Sequence, residues 1–242
     1  MMKKVLAVLS LRGHKDRMRV FLDEGPTLIL TRLTIADRRI YDGRELDDDE
    51  LREILASDAD RMAYETALNF LSYRARSEAE IRRRLRRDRT FPSAIDTTVE
   101  RLKRNGLLDD AAFAAMWTRE REQHAPRGKA LLKFELKQKG IEQETVQEAV
   151  ADVDEEEGAY RIAKRRAPQL QKLEYTEFRQ KLGNYLQRHG YPYGVAAKTV
   201  RQVWSELQGE AAGEAGEDEG GITFASELAP YDSDTGEDDA EG

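Results

Sequence analysis

The chain has 242 residues, 39% hydrophobic and 36% charged, with no run of about 18 apolar residues to suggest a membrane span. The absence of cysteine excludes disulfides, thiolate metal ligands and thiol chemistry, and fits a reducing cytosol. Its net charge of −7 joins two opposite regions: residues 208–242 hold 12 acidic and no basic side chains, so residues 1–207 carry +5. A basic body with an acidic end suits a partner rich in phosphate or carboxylate.

The N-terminus alternates through Val5–Leu9 and lacks a small-residue cleavage site, so it reads as a strand and not a signal peptide. Three short strands are expected, over Val5–Leu11, Met18–Leu22 and Thr27–Leu30, joined by polar turns. Such a meander needs a helix over one face. Leu46–Ala56 supplies it, with Asp47 as N-cap and Glu50 at capping-box spacing. This N-terminal region spans residues 1–57.

From Asp60 to Leu207 a three-helix pattern recurs about every 50 residues, which implies similar modules that share a core with their neighbours. The first repeat covers residues 58–106. Met62, Ala67, Phe70 and Leu71 stripe its first helix, Ser77 and Glu80 form a capping box for Glu78–Asp88, and Pro92 opens a third helix that Gly106 closes. The second covers residues 107–153: Asp109 or Asp110 caps Ala111–Gln123, Pro126 and Gly128 break the chain, Lys129–Lys139 is basic, and Gly140 ends it. The third covers residues 154–207, with Phe178, Leu182 and Leu186 on its second helix, then Gly190 and a last helix carrying Val200, Val203 and Trp204. An aromatic or β-branched residue follows each second helix (Phe91, Ile141, Tyr191). The expected fold is mainly α: three three-helix repeats in an elongated array, a small N-terminal β meander and a disordered acidic tail over residues 208–242.

Converging chemistry is sparse. His14, His124 and His189 fall in separate segments, HExxH and Gly-rich phosphate loops are absent, and Asp109–Asp110 reads as a helix cap. The sequence therefore points away from an enzyme, a metal or a cofactor.

The cations are more telling. Eight arginines lie between positions 74 and 89. On a helix, Ile81 and Leu85 face the core, Arg83 and Arg87 face away, and Arg84 and Arg86 flank them. Glu80 stands three and four residues from Arg83 and Arg84, the spacing of weak helix pairs. Lys129, Lys133 and Lys137 recur at i,i+4 in the second repeat, and Arg179, Lys181 and Arg188 belong to the third. Arg83, Arg86, Arg87, Lys133 and Lys137 are the expected partner or nucleic-acid contacts, on one continuous positive stripe. Tyr73, Phe91, Phe113, Trp117, Phe134 and Trp204 are expected mostly in cores, which argues against aromatic platforms for single strands.

These residues carry a resemblance. ALNFLSYRARSEAEIRRRL (67–85), VERLKRNGLLDDAAFA (99–114) and PRGKALLKFELKQKGI (126–141) resemble the signature of bacterial RecX regulatory proteins over residues 63–205. The N-terminal meander resembles an extension found on some members. The acidic tail departs from the common core, and the third repeat matches least well. The resemblance implies a non-enzymatic regulator that binds the RecA recombinase, lodges along the groove of its DNA filament, and inhibits strand exchange and ATP hydrolysis. It further implies that Ser77, Glu78 and Glu80 and the Gly106–Asp110 segment are structural.

The alternative is a stand-alone helix-turn-helix-like DNA-binding protein without recombinase regulation. Ile81–Arg89 argues against base reading, because it offers almost only charge. DNA affinity is expected to be non-specific and electrostatic, and the lack of a heptad seam fits a monomer. The tail leaves two readings open, a solvated end or a mask over the basic face. Deleting residues 208–242 separates them: a mask predicts tighter DNA binding at low salt, lost at high salt, and a solvated end predicts no change at any ionic strength.

Overall fold

The computed structural model describes residues 2–209. The acidic tail from residue 210 onward, with both readings of it, lies outside the described residues. The described chain forms two compact units, residues 2–115 with 136–146, and residues 116–135 with 147–209. The division falls inside the second repeat.

In the first unit, β1 (Met2–Ser10), β2 (Arg17–Leu22), β3 (Leu28–Thr31) and β4 (Glu45–Asp47) form an antiparallel sheet in the order β3-β2-β1-β4. Sequence periodicity finds the first three strands. It misses β4, which is too short to show alternation, and the one-and-a-half-turn helix α1 (Arg32–Asp37), capped by Thr31. A bulge between Val5 and Ala7 shifts the alternation by one, so Val5 and Val8 both pack toward the core with Val20, Leu22, Leu30 and Leu46.

The expected covering helix and the first helix of the first repeat are one helix, α2 (Asp48–Tyr73, 26 residues). Asp47 caps it, accepting from the Glu50 N–H at 2.7 Å; the Glu50 carboxylate turns to the Arg44 guanidinium. No Gly or Pro interrupts the helix. Within it, the buried Asp58 carboxylate accepts from the Thr31 N–H and hydroxyl, both at 2.8 Å. One helix thus serves two cores: Leu51 and Ile54 under the sheet, Ala63 and Ala67 in the first repeat.

The rest of the first repeat is α3 (Glu78–Arg87) and α4 (Pro92–Arg104), whose Ile81, Leu85, Ile95, Val99 and Leu102 fill its core. The second comprises α5 (Asp110–His124), α6 (Lys129–Gln138) and a seven-residue α7 (Gln143–Ala149). The third, in the second unit, comprises α8 (Glu155–Arg166), a 3-10 turn (Ala167–Gln169), α9 (Tyr175–Arg188) and α10 (Tyr193–Leu207). Phe178, Leu182, Leu186 and Val200 are buried there, with Trp204 tilted against Phe178 at 4.9 Å between ring centroids.

The second helix of every repeat ends alike. The N–H of Thr90, Ile141 and Tyr191 returns to the carbonyl of Leu85, Leu136 and Leu186 at 3.1–3.2 Å, the wide bond of a Schellman cap. This aligns Thr90, and not Phe91, with Ile141 and Tyr191; Phe91 sits one residue further on and is exposed. The preceding left-handed position is Gly140 (φ +79°) in the second repeat, Gly190 (φ +87°) in the third, and Arg89 (φ +57°) in the first. The glycines have a second reason. A Cβ on Gly140 would collide with the Ala79 side chain at the start of α3, and one on Gly190 would stand 2.5 Å from the Cβ of Leu131 near the start of α6. Gly128 is pressed against the Gly190 carbonyl and donates its own N–H to the His189 oxygen at 2.8 Å.

Gly140→Ala and Gly190→Ala are each expected to cost about 2–4 kcal/mol, combining left-handed strain with overpacking. Arg89→Gly is expected to change stability by less than about 1 kcal/mol. Urea midpoints at unchanged m-value measure the contrast.

Candidate functional site

Local sequence sets α3 first. The Ser77 hydroxyl accepts from the Glu80 N–H, and the Glu80 carboxylate accepts from the Ser77 N–H, both at 3.2 Å, completing the expected capping box. The box also holds the second repeat. Ser77 Oγ donates to the Lys139 carbonyl at 2.6 Å, and the Glu78 N–H donates to Asp110 Oδ1 at 2.8 Å. The two candidate caps therefore divide: Asp109 caps α5 through the N–H groups of Ala111 and Ala112, and Asp110 serves α3.

Glu80 does not pair with Arg83 or Arg84, as helical spacing suggests. Only 9% exposed, it is met by Arg74 Nη2 at 3.1 Å, Lys139 Nζ at 3.2 Å and Arg76 at 3.9 Å. Burial pushes its carboxyl up, but the Ser77 N–H, Lys139 and Arg74 together outweigh that and hold it below the usual glutamate value. Burial raises Asp110 above its usual value despite the Glu78 N–H.

These contacts sort the arginines. Arg82 is held by Glu78 and Asp96, both at 2.6 Å, Arg84 by Asp88 at 3.1 Å, and Arg76 lies over the Phe70 ring at 3.8 Å. Arg83, Arg86 and Arg87 are exposed at i, i+3 and i+4, on one face of α3, with no acid partner among the described residues. The Schellman alignment gives the counterparts of these three as Phe134, Lys137 and Gln138 in the second repeat, and Asn184, Gln187 and Arg188 in the third. Lys137 is exposed and holds the place of Arg86. Lys133 is half-buried and holds the place of the ion-paired Arg82. Lys129 is taken up structurally: its amine donates to the Ala151 carbonyl at 2.6 Å and its N–H to Glu155 at 2.9 Å. Outward charge at these positions thus falls from three cations in the first repeat to one in each of the other two.

The aromatic expectation needs correction. Phe113 is buried, Trp117 is half-buried with its indole N–H on Glu135 at 2.8 Å, and Trp204 is half-buried. Tyr73, Phe91 and Phe134 are exposed instead. Helical spacing marks Phe134 as apolar beside a buried stripe, but only alignment of the cap bonds shows that it shares the outward position of Arg83. Among the described residues no group of three His, Asp or Glu is placed to hold a metal ion, and no helix is long and apolar enough to cross a membrane.

Three-helix repeats joined helix end to helix end, with an outward cationic face on α3, define a helical-repeat protein. Family profiles for the first, second and third three-helix domains of RecX match residues 63–102, 109–150 and 154–200. Regulatory protein RecX of Lactobacillus johnsonii is 28% identical over 202 residues, covering 82% of this chain and 74% of that protein. Its counterpart from Geobacillus kaustophilus is 31% identical over 186 residues, covering 75% and 69%. Two crystal structures share the fold at 22% identity: one of regulatory protein RecX, with TM-score 0.53 over 85% of this chain and 93% of that one, and one of RecX from Lactobacillus salivarius, with 0.56 over 61% and 97%. The chain belongs to the RecX family of regulatory proteins.

Because the Glu80 carboxyl is depressed, its stabilisation is complete above the ordinary value of 4.5 and is lost as pH falls through the lowered one. Glu80→Gln is expected to cost about 1–3 kcal/mol at neutral pH, discounted for the partial exposure of its partners. It is also expected to flatten the acid side of the stability profile, read by urea denaturation at neutral and acid pH.

Proposed function

We propose that this protein is a cytoplasmic, monomeric, non-enzymatic regulator that binds the RecA–DNA filament and inhibits its recombinase and ATPase activity. Membership of a family of regulatory proteins supports the role. The observation that carries the mechanism is the set Arg83, Arg86 and Arg87, three solvent-facing guanidinium groups on a rigid helix with no acid partner among the described residues. Neighbouring arginines of the same helix are occupied by Glu78, Asp96 and Asp88, so the free three are left for an external anion. Guanidinium forks bind phosphate and carboxylate geometrically as well as by charge. Lys137 extends the contact in the second repeat, and Lys133 contributes from its more enclosed place.

The reading is tested by ATP hydrolysis of a DNA-bound recombinase with increasing amounts of this protein. Wild type is expected to inhibit. The double variant Arg83→Glu, Arg87→Glu is expected to lose inhibition while keeping its helical content and melting temperature, and its DNA affinity is expected to fall less steeply with salt, by about 2 in log–log slope. Unchanged inhibition by the folded variant would remove these side chains from the mechanism. Equal affinity for bare and recombinase-coated DNA, with no effect on ATP hydrolysis, would favour a stand-alone DNA-binding protein.

A further inference from the structure

Several rings on this protein have a face occupied by a cation. Arg76 lies over Phe70 and Arg101 over Tyr64, each at 3.8 Å, Arg121 over Trp117 at 4.6 Å, and Lys164 over Tyr160 at 5.1 Å. Phe91 and Phe134, like the exposed Tyr41 and Tyr73, have no such cation among the described residues. The two phenylalanines are 68% and 51% exposed, and among the described residues neither has a ring or a cation against it.

Neither side chain makes a hydrogen bond or ring contact among the described residues. Phe91 is the N-cap residue of α4 yet makes no side-chain cap bond, and a phenyl group is a poor choice where Ser, Thr, Asp or Asn would satisfy a helix donor. It belongs to none of the described core clusters, and the cap-aligned residue beside it, Thr90, is half-buried. Phe134 occupies the outward position that Arg83 holds in the first repeat. Leaving such surface in water has no local benefit.

Each ring has cations beside it. Arg86, Arg87 and Arg89 precede Phe91, are exposed, and have no acid partner among the described residues. Lys133 and Lys137 lie one residue before and three after Phe134 on α6, also without a described acid partner. Along the chain, apolar side chains are otherwise scarce at both places: residues 86–93 add only Pro92 to the ring, and the exposed neighbours of Phe134 on α6 are Ala130, Lys137 and Gln138. A protein-docking hot spot needs a ring set in a larger, water-excluding patch. A nucleobase needs one open π-face, with a cation for the phosphate next to it.

We propose that Phe91 and Phe134 are stacking platforms for unpaired nucleobases, with Arg86, Arg87 and Arg89 holding the phosphates beside the first and Lys133 and Lys137 those beside the second. The ligand class is single-stranded nucleic acid. In a duplex the base faces are already stacked, so selectivity for strand form resides in the rings and general affinity in the cations. The proposal deepens the regulator reading by assigning what its surface does to exposed bases, and rests on that reading only for its biological setting.

The test uses the full-length protein and three labelled probes: a single-stranded oligodeoxynucleotide, its duplex, and an abasic strand of equal length. Phe91→Ala is expected to weaken binding to the single strand about 10-fold, a typical loss for one stacked base, with duplex and abasic binding unchanged. Phe91→Trp is expected to retain the affinity and Phe91→Leu to behave like the alanine variant; Phe134→Ala repeats the pattern independently. Equal losses on single strand and duplex overturn the proposal, as does an abasic strand that binds wild type as tightly as the normal one. Full rescue by leucine would replace stacking with plain apolar contact. Loss confined to recombinase-coated DNA, with bare strand unaffected, would reassign the rings to a protein surface. No recombinase is needed for the bare-strand measurements, so failure here is distinct from failure of the ATP-hydrolysis test.

Discussion

Helix ends leave backbone donors and acceptors that need partners, and the way they are supplied here governs everything built on them. The start of α3 sits on Gly140 at the end of α6, and the start of α6 sits on Gly190 at the end of α9. In both places the approach leaves no room for a Cβ. A hydrogen bond accompanies each approach: Ser77 to the Lys139 carbonyl, and the Gly128 N–H to the His189 carbonyl. Without such contact between consecutive second helices, a three-helix module of about 50 residues would keep too small a core to fix its neighbour.

The same joints decide which cations around α3 are held and which stay in solvent. Glu80 draws in Arg74, Arg76 and Lys139, and Glu78 draws in Arg82 and Lys103. Carboxylates at the beginning of α3 thereby absorb the cations that could collapse onto it, and the outward arginines stay solvated. Removing a joint residue therefore disturbs more than stability: it also frees cations that these carboxylates hold at the start of α3.

What could be read from sequence was what is local. The Ser77–Glu80 box, Pro92 at the first turn of α4, Gly106, Gly140 and Gly190 each depend on a few adjacent residues. The buried Ile81–Leu85 seam follows from helical spacing alone. The errors came where a distant partner decides. Two helices are expected where α2 is one, because nothing local shows that Thr31 will claim Asp58. Glu80 appears to belong to Arg83 or Arg84 because Lys139 lies 59 positions away. Apolar character puts Phe91 one residue out of register with Ile141 and Tyr191, because the cap bond ends on Thr90. Of the expected contacts, Arg83, Arg86, Arg87 and Lys137 are exposed and Lys133 is half-buried. The aromatic residues were misjudged because helical spacing separates inward from outward positions poorly at a stripe's edge.

Arg89 has a consequence for how this architecture can change. It stands in a left-handed conformation where its two counterparts are glycines, and it tolerates a side chain because no earlier second helix rests on it. A gene duplication that placed a fourth unit ahead of the first would meet that side chain and fail to seat, unless a mutation to glycine came with it. Extension of the lineage is therefore easier beyond α9, and one codon acts as a stop against lengthening from the other direction.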